Sequence, residues 1–184
     1  MTNSIDPLVI KNDLVTLEPV SHLRIDDFHE YSTKKELYTY LTYDVFKKKT
    51  ETINYLNKLI KRSDSKYTQY WFIILKENKK TIGTIGLINF SKENNSVEIG
   101  YGLSPDYWNK GIFNSSAKLL LNSVFLKYGI NNFIAKTSLQ NTNSINALEK
   151  IGFLKEKVLK NFYVYFDGHT EDAQILKLQL LNTI

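Results

Sequence analysis

Cysteine is absent from this chain of 184 residues, and its absence removes several kinds of chemistry. Disulfide bonds, a thiolate nucleophile and cysteine-ligated zinc are all excluded, and the composition fits a reducing compartment. The three histidines, His22, His29 and His169, lack the spacing of metal ligands and have no carboxylate pair nearby. We interpret them as surface or turn residues and expect no metal.

Long apolar runs and linkers are also missing. No stretch approaches the ~18 uninterrupted apolar residues of a membrane span, so we expect no membrane partner. The first ten residues lack an apolar run behind a basic start, which argues against a signal peptide and favours a cytoplasmic protein. Three prolines, without any repeat or low-complexity tract, mark no boundary, so residues 1–184 are predicted to form one domain.

Lysine and arginine outnumber the acidic residues, and the formal net charge is +5. A basic surface suits a polyanionic partner such as nucleic acid, a ribosome or a phosphorylated cofactor, whereas the alternative is a solvated lysine-rich surface. The lysines are dispersed rather than interleaved with aromatic residues in one groove. Nucleic acid is therefore not the expected partner.

The order of periodic segments predicts an α/β (α+β) domain with a mixed, mostly antiparallel sheet of about seven strands, flanked by helices. Short polar turns join the early strands, which makes them antiparallel neighbours. The predicted strands are residues 14–18, 70–76, 81–90, 96–103, 133–139, 154–166 and 171–181. The predicted helices begin after Ser21 and at Thr50, and span 114–128 and 144–151.

One strand–helix–strand unit has a fixed topology. Residues 96–103 and 133–139 are strands, and the helix at 114–128 carries the chain back between them. The two strands must therefore run parallel, because only a crossover connection of this kind returns the chain in the same direction. The sequence predicts a parallel pair at the centre of the sheet, with antiparallel strands on both sides.

The strand at 96–103 has one apolar face and one nearly bare face, because side chains alternate between the two faces of a strand. The apolar face carries Val97, Ile99, Tyr101 and Leu103, and the other face carries Glu98, Gly100 and Gly102. A carboxylate beside two missing side chains lets another molecule approach the backbone closely. The alternative is that the glycines mark a β-bulge.

The loop after this strand has the character of an anion site. Ser104-Pro105 stops the strand, and residues 108–113 lead into the next helix. Unpaired N–H groups at a helix N-terminus attract phosphate oxygens, and Gly111 allows a close approach. Lys110 either adds charge or faces solvent. Neither a Walker lysine motif nor GxGxxG is present, so a nucleotide site of either type is excluded.

Two segments together resemble a known family. Residues 98–111, E-I-G-Y-G-L-S-P-D-Y-W-N-K-G, are similar to the coenzyme-A-binding motif of the Gcn5-related N-acetyltransferases (GNAT). Residues 141–153, N-T-N-S-I-N-A-L-E-K-I-G-F, resemble the second signature of the ribosomal-protein N-terminal acetyltransferase (RimJ/RimL-like) branch, N-x-x-S followed by L-E-K-x-G-F. The likeness runs in order over residues 8–181.

The resemblance implies a binding site for acetyl-CoA as co-substrate. The two parallel strands are expected to splay apart beyond Gly100, with pantetheine in the gap and the pyrophosphate on the backbone amides of the following loop. The second signature is expected to contact pantetheine and the thioester, and helix capping is the alternative role of its polar residues. The implied cofactor-binding residues are Tyr101, Gly102, Leu103, Ser104, Asn109, Lys110, Gly111, Ile112, Phe113, Asn114, Asn141, Asn143 and Ser144.

The expected reaction is direct attack by a bound amine in a ternary complex, because the chain has no cysteine for an acyl-enzyme. Glu98 is the candidate general base, directly or through water, and the alternative is a salt-bridged or solvated strand glutamate. Many family members protonate the leaving thiolate with a tyrosine where this chain has Leu148, so the resemblance points instead to Ser144. The branch can also carry a glutamate where this chain has Val164, and this departure weakens the case for a ribosomal substrate.

Three functions are compatible with the sequence. The leading hypothesis is an N-acetyltransferase that acts on a protein or peptide N-terminus, of which a ribosomal protein is one example. The alternatives are acetylation of a small amine (polyamine, aminoglycoside or amino acid) and a non-catalytic module that binds acyl-CoA. Tyr38, Tyr40, Tyr43 and Phe46 either wall the acceptor pocket, as the resemblance implies, or pack in the core. A homodimer is a family-level expectation.

Overall fold

The residues that the structure describes fold as an open, eight-stranded mixed sheet with helices on both faces. The computed structural model describes residues 8–65 and 67–181. Residues 1–7, on which the prediction about a signal peptide partly depends, lie outside the described residues, as do residue 66 and residues 182–184 of the predicted 1–184 domain. No helix in the described part is long and apolar enough to cross a membrane.

Strands and helices alternate along the chain largely as predicted. The strands are Ile10–Lys11 (β1), Val15–Pro19 (β2), Gln69–Leu75 (β3), Thr81–Ser91 (β4), Ser96–Leu103 (β5), Asn132–Ser138 (β6), Leu154–Val164 (β7) and Thr170–Gln179 (β8). The α-helices are Ile25–Ser32 (α1), Lys49–Ser63 (α2), Ile112–Tyr128 (α3) and Thr142–Glu149 (α4). The strand order across the sheet is β1-β2-β3-β4-β5-β6-β8-β7.

Most element bounds differ from the prediction by one or two residues, as in α4, which spans Thr142–Glu149 rather than 144–151, and two differences have a clear local cause. The sheet has an additional first strand, because β1 has only two residues, too few to display alternation in the sequence. It pairs Ile10 with Leu17 of β2. Helix α3 begins at Ile112, before the predicted start at 114, because Gly111 adopts a left-handed φ of 72° and forms its N-cap. Gly129, with a φ of 70°, ends the helix as predicted.

Two apolar layers hold the helices against the sheet. Strand β3 contributes to both layers, because it is buried on both faces and its side chains alternate between them. Trp71 and Ile73 pack in the same core as the inward faces of α3 and α4. Phe72 and Ile74 pack with residues of α1 and α2. The sheet is therefore the middle layer of three.

The central parallel strands separate partway along their length. β5 and β6 are paired over only four residue pairs, from Ser96 with Asn132 to Ile99 with Ala135. Beyond that point β5 stays with β4 as far as Leu103, and β6 stays with β8 as far as Ser138. The parallel pair and its separation beyond Ile99 confirm the predicted topology. The carboxyl-terminal ends of both strands thus border an open gap.

Replacing Gly83 by alanine is expected to lower the free energy of unfolding by about 3 kcal/mol, because overpacking against backbone is not relieved by a side-chain movement. A Cβ at Gly83 would lie 2.5 Å from the carbonyl oxygen of Gly102 on the neighbouring strand β5. Urea denaturation followed by circular dichroism measures the change. Gly100→Ala is the matched control, since its Cβ would meet nothing within 4 Å. Equal losses in the two variants would contradict this interpretation.

Candidate active site

A cavity of about 740 Å³ opens where β5 and β6 separate. Its walls come from the ends of these strands, the loop into α3, the first turn of α4, the segment 36–43 and Tyr163. Most of the predicted cofactor-binding residues line it, namely Tyr101, Gly102, Leu103, Asn109, Gly111, Ile112, Phe113, Asn114, Asn141, Asn143 and Ser144. Ser104, Lys110 and Glu98 lie outside this lining.

The bare face of β5 is open to the cavity. A Cβ at Gly100 would meet nothing within 4 Å, and one at Gly102 would make ordinary contacts with Leu37 at 3.7 Å and with the Thr84 hydroxyl at 3.9 Å. The β-bulge that the glycines could have marked lies elsewhere, because the register with β4 shifts between Ile88 and Ser91. The glycines of β5 therefore clear space above the backbone rather than kink the strand.

The N-terminus of α3 presents free backbone donors at one end of the cavity. Asn109 and Gly111 both have left-handed φ angles, of 59° and 72°, which turn the loop sharply into the helix. No side chain caps the helix, and its first turn contains no acidic residue. Because the first N–H groups of a helix have no partner within it, those of residues 112–114 are available to an anion at the positive end of the helix dipole.

Neighbouring contacts hold this loop in place. The indole N–H of Trp108 donates to the carbonyl oxygen of Leu103 at 2.7 Å, which ties the loop to the end of β5. Ser104 is buried, and its backbone N–H donates to Ile82 on β4. The Lys110 ammonium lies 5.3 Å from the centre of the Tyr107 ring. Lys110 and Ser104 thus support the loop from outside the cavity lining.

Tyr101 and Ser144 join the two sides of the gap. Their hydroxyl oxygens are 2.8 Å apart, and the Tyr101 ring stacks on Phe113 with centroids 3.8 Å apart. Burial raises the pKa of Tyr101 to about 12, so its hydroxyl stays protonated at neutral pH. Asn141 caps α4 by accepting the backbone N–H of Ser144 at 3.1 Å. The capping role considered for Asn141 is present, while its neighbour Asn143 and Ser144 border the cavity.

Glu98 forms an ion pair with a residue of the opposite strand. Its carboxylate lies 2.6 Å from the ammonium of Lys136 on β6 and 3.3 Å from the amide nitrogen of Asn89. The salt-bridged state considered for this glutamate is therefore present. Glu98 shares its face of β5 with Gly100 and Gly102, and Lys136 itself lines the cavity. The ion pair thus stands beside the gap, with Lys136 on the cavity side.

The aromatic residues before α2 have two roles. The rings of Tyr38, Tyr43, Phe46 and Tyr55 form an aromatic cluster with centroids 5.3–5.9 Å apart, in which Tyr43 remains 37% exposed. Tyr40 and Tyr43 also line the cavity. Burial raises the pKa of Tyr38 to about 12 and that of Tyr43 further, so both phenols are neutral. The segment therefore supplies an uncharged aromatic wall.

Comparison with known families agrees with this geometry. A family model described as an acetyltransferase (GNAT) domain matches residues 15–154. The chain belongs to the GNAT family. It is 36% identical over 90 residues to a protein named uncharacterized N-acetyltransferase p20 from Bacillus licheniformis, a match that covers 49% of this chain and 51% of that relative. The chain thus spans about half the length of this curated relative.

Solved GNAT structures have the same fold. The microcin C7 self-immunity acetyltransferase MccE, in complex with acetyl-CoA and AMP, has a TM-score of 0.84 at 19% identity, covering 92% of this chain and 94% of that one. A Salmonella typhimurium acetyltransferase that modifies the N-terminal serine of ribosomal protein L7/L12 has a TM-score of 0.83 at 18% identity, covering 95% and 100%. At these identities the likeness establishes the fold alone.

Some residues of this GNAT cavity were not identified from the sequence. Lys136 and Ser138 on β6 and Tyr163 on β7 all line it. The hydroxyl groups of Ser138 and Tyr165 donate to the carboxylate of Glu171, and burial together with that carboxylate raises the pKa of Tyr165. Strand alternation gives the face of each residue, but only the register between β5, β6 and β8 brings them together.

The histidines of the GNAT domain stand apart from the cavity lining. His22 lies in a short 3-10 turn, and His29 contacts the Thr52 hydroxyl at 2.7 Å. His169 lies in the β7–β8 turn, where it stacks on Tyr165 with ring centroids 4.2 Å apart. Among the described residues, no group of three His, Cys, Asp or Glu side chains is placed to hold a metal ion.

Proposed function

We propose that this protein is an acetyl-CoA-dependent N-acetyltransferase, with the chain forming one catalytic domain that transfers acetyl to a primary amine in a ternary complex. The observation that carries the proposal is the gap between β5 and β6, which are paired over four residue pairs only, with the uncapped start of α3 at its end. Unpaired strand backbone suits the amides of pantetheine, and free helix N–H groups suit a pyrophosphate.

The chain's own groups fit each part of the co-substrate. The backbone of residues 101–103 would bond pantetheine, whereas the N–H and carbonyl groups of Ser104 already bond Ile82 and Tyr107. The N–H groups of residues 109–114 would bond the pyrophosphate. Asn143 and Ser144, held at the first turn of α4, would contact the pantetheine arm near the thioester. The complex of MccE with acetyl-CoA supports this fit at the level of the shared fold.

The chemistry requires two proton movements. Acetyl-CoA supplies a thioester carbon to which the amine nitrogen bonds while the C–S bond breaks. Glu98 would take the proton from the amine, directly or through water, from its position on the glycine-bearing face of β5. Ser144 would give a proton to the departing sulfur, with Tyr101 hydrogen-bonded to its hydroxyl at 2.8 Å.

A protein or peptide N-terminus is the acceptor we favour. An α-amino group has a pKa of roughly 7.7–8.0 and loses its proton far more readily than an amine near 10.4. The described residues that line the cavity include one carboxylate, Glu36, and two ammonium groups, Lys136 and Lys150. This excess of positive charge does not suit a polycation such as a polyamine or aminoglycoside. The Salmonella enzyme that modifies an N-terminal serine adds support from the same fold.

Calorimetry with acetyl-CoA, followed by free-thiol release on an amine panel, tests the proposal. We expect saturable binding of acetyl-CoA and thiol release that depends on the acceptor, with N-terminal peptides ahead of polyamines and aminoglycosides. Binding without thiol release on any amine would instead support the non-catalytic acyl-CoA-binding module. Absence of acetyl-CoA binding would refute both.

A further inference from the structure

The ion pair beside the gap has a consequence for the acceptor. Glu98 and Lys136 belong to different strands and lie just where those strands stop pairing, with their charged atoms 2.6 Å apart. Both side chains are largely buried, at 16% and 29% exposure. The Lys136 ammonium also lies 5.8 Å from the Phe162 ring. Removing either partner therefore leaves a poorly solvated charge without its counter-ion.

The pair lies on the side of the sheet where the acceptor is expected. Glu98 pairs in register with Ile134, so Lys136, two residues further along β6, faces the same way as Glu98 and Gly100. Leu37 lies above Gly102 on this side, whereas α3 covers the opposite face. The cavity there is bounded by the segment 36–43 and by Tyr163.

A simple cationic amine is poorly matched to this pair. An ammonium that approached Glu98 would compete with Lys136 for the Glu98 carboxylate. The positive charge of Lys136 would also repel it. A molecule that carries a carboxylate next to its amine would instead exchange partners with both groups at once. Its ammonium would bind Glu98 and its carboxylate would bind Lys136, so no buried charge is left unpaired.

We propose that the acceptor is an amine with a neighbouring carboxylate, with Glu98 binding the amine and Lys136 binding the carboxylate. This inference rests on the proposed acetyltransferase function and narrows its substrate class. Two sources share this chemistry, namely a free α-amino acid and a peptide N-terminus followed by an acidic side chain. Lys177 of β8 shares this face of the sheet, because it pairs in register with Ile134, but its ammonium is held by Glu156 at 2.6 Å and it lies outside the cavity lining, which includes Lys136.

Matched acceptor pairs test the inference. One pair is phenylalanine and phenylalaninamide, and the other is two C-terminally amidated tripeptides that begin Ser-Asp or Ser-Asn. For at least one pair, we expect kcat/KM of the carboxylate member to exceed that of its amide about tenfold or more. A charge-assisted hydrogen bond usually contributes enough free energy to produce a factor of this size. The pair that discriminates identifies the source.

Two variants assign the preference to Lys136. Lys136→Met is expected to bring kcat/KM for the carboxylate acceptor down to about the value for its amide, so that their ratio is near unity. Lys136→Arg is expected to retain most of the preference for the carboxylate. The ratio is informative because any general loss of activity cancels. The same acceptors are titrated calorimetrically into the protein with and without CoA, so the preference is measured even without turnover.

The outcomes separate the two proposals. Acetylation of amines without any carboxylate preference, or a preference that survives in Lys136→Met, would overturn the acceptor inference and leave the acetyltransferase function intact. A carboxylate preference in binding that disappears in Lys136→Met, together with no thiol release, would support the acceptor site and count against the transfer activity.

Discussion

Gly100→Leu is expected to lower kcat/KM for every amine by about a hundredfold or more while the protein remains folded, because misplacing reacting groups by about an ångström already costs that much. Gly100 is the first residue of β5 beyond its last pair with β6, and it lines the cavity. Its Cβ position has nothing within 4 Å, so a side chain can begin there without a clash, and a leucine would extend it into the acceptor space.

A graded series distinguishes blockage from misfolding. Gly100→Ala adds one carbon in open space and is expected to cause a small loss, whereas valine and then leucine cause increasing losses. Acetyl-CoA binding, measured by calorimetry, is expected to stay within a few fold because the free N–H groups at the start of α3 are untouched. A leucine variant that acetylates amines at the original rate would show that the acceptor does not pass over Gly100.

Local sequence patterns were sufficient to predict the parts of this site that depend on one segment. The period of two in residues 96–103 placed Glu98, Gly100 and Gly102 on one face, and β5 has those bounds in the structure. The crossover rule gave the parallel neighbours, because a helix between two strands leaves little choice of direction. Gly111 was predicted to allow a close approach of phosphate oxygens, and the structure adds that its left-handed φ of 72° turns the loop into α3.

The parts that depend on register could not be predicted. Lys136 lies beside Glu98 because Glu98 pairs in register with Ile134, two residues before the lysine. A register shift of one residue would place Lys136 on the opposite face of the sheet. Tyr101 was assigned to the apolar face, but its hydrogen bond with Ser144, 43 residues further on, requires the placement of α4 against the strand. Pairs of this kind arise from tertiary packing, which no local period encodes.

Ser144→Ala is expected to lower kcat by about a hundredfold at neutral pH, at the low end of the range for general acid catalysis. The Ser144 hydroxyl lines the cavity, and Asn141 fixes the backbone beneath it by accepting its N–H. The loss is expected to shrink as pH rises above the thiol pKa of about 8.5, because the sulfur then departs as a stable thiolate. A constant loss across the pH profile would point to positioning of the thioester instead.

Tyr101→Phe isolates the tyrosine hydroxyl, since the ring retains its stacking on Phe113 at 3.8 Å. The pKa of Tyr101 is raised to about 12, so the neutral phenol can donate to the Ser144 oxygen and leave the serine proton directed at the cavity. We expect kcat to fall about fivefold in the otherwise unchanged protein and not at all in a Ser144→Ala background, because residues that act through one hydrogen bond are not additive. Equal losses of kcat in both backgrounds would mean that Tyr101 acts independently of Ser144. A lowered unfolding midpoint with unchanged kcat would mean that the Tyr101 hydroxyl contributes to packing only.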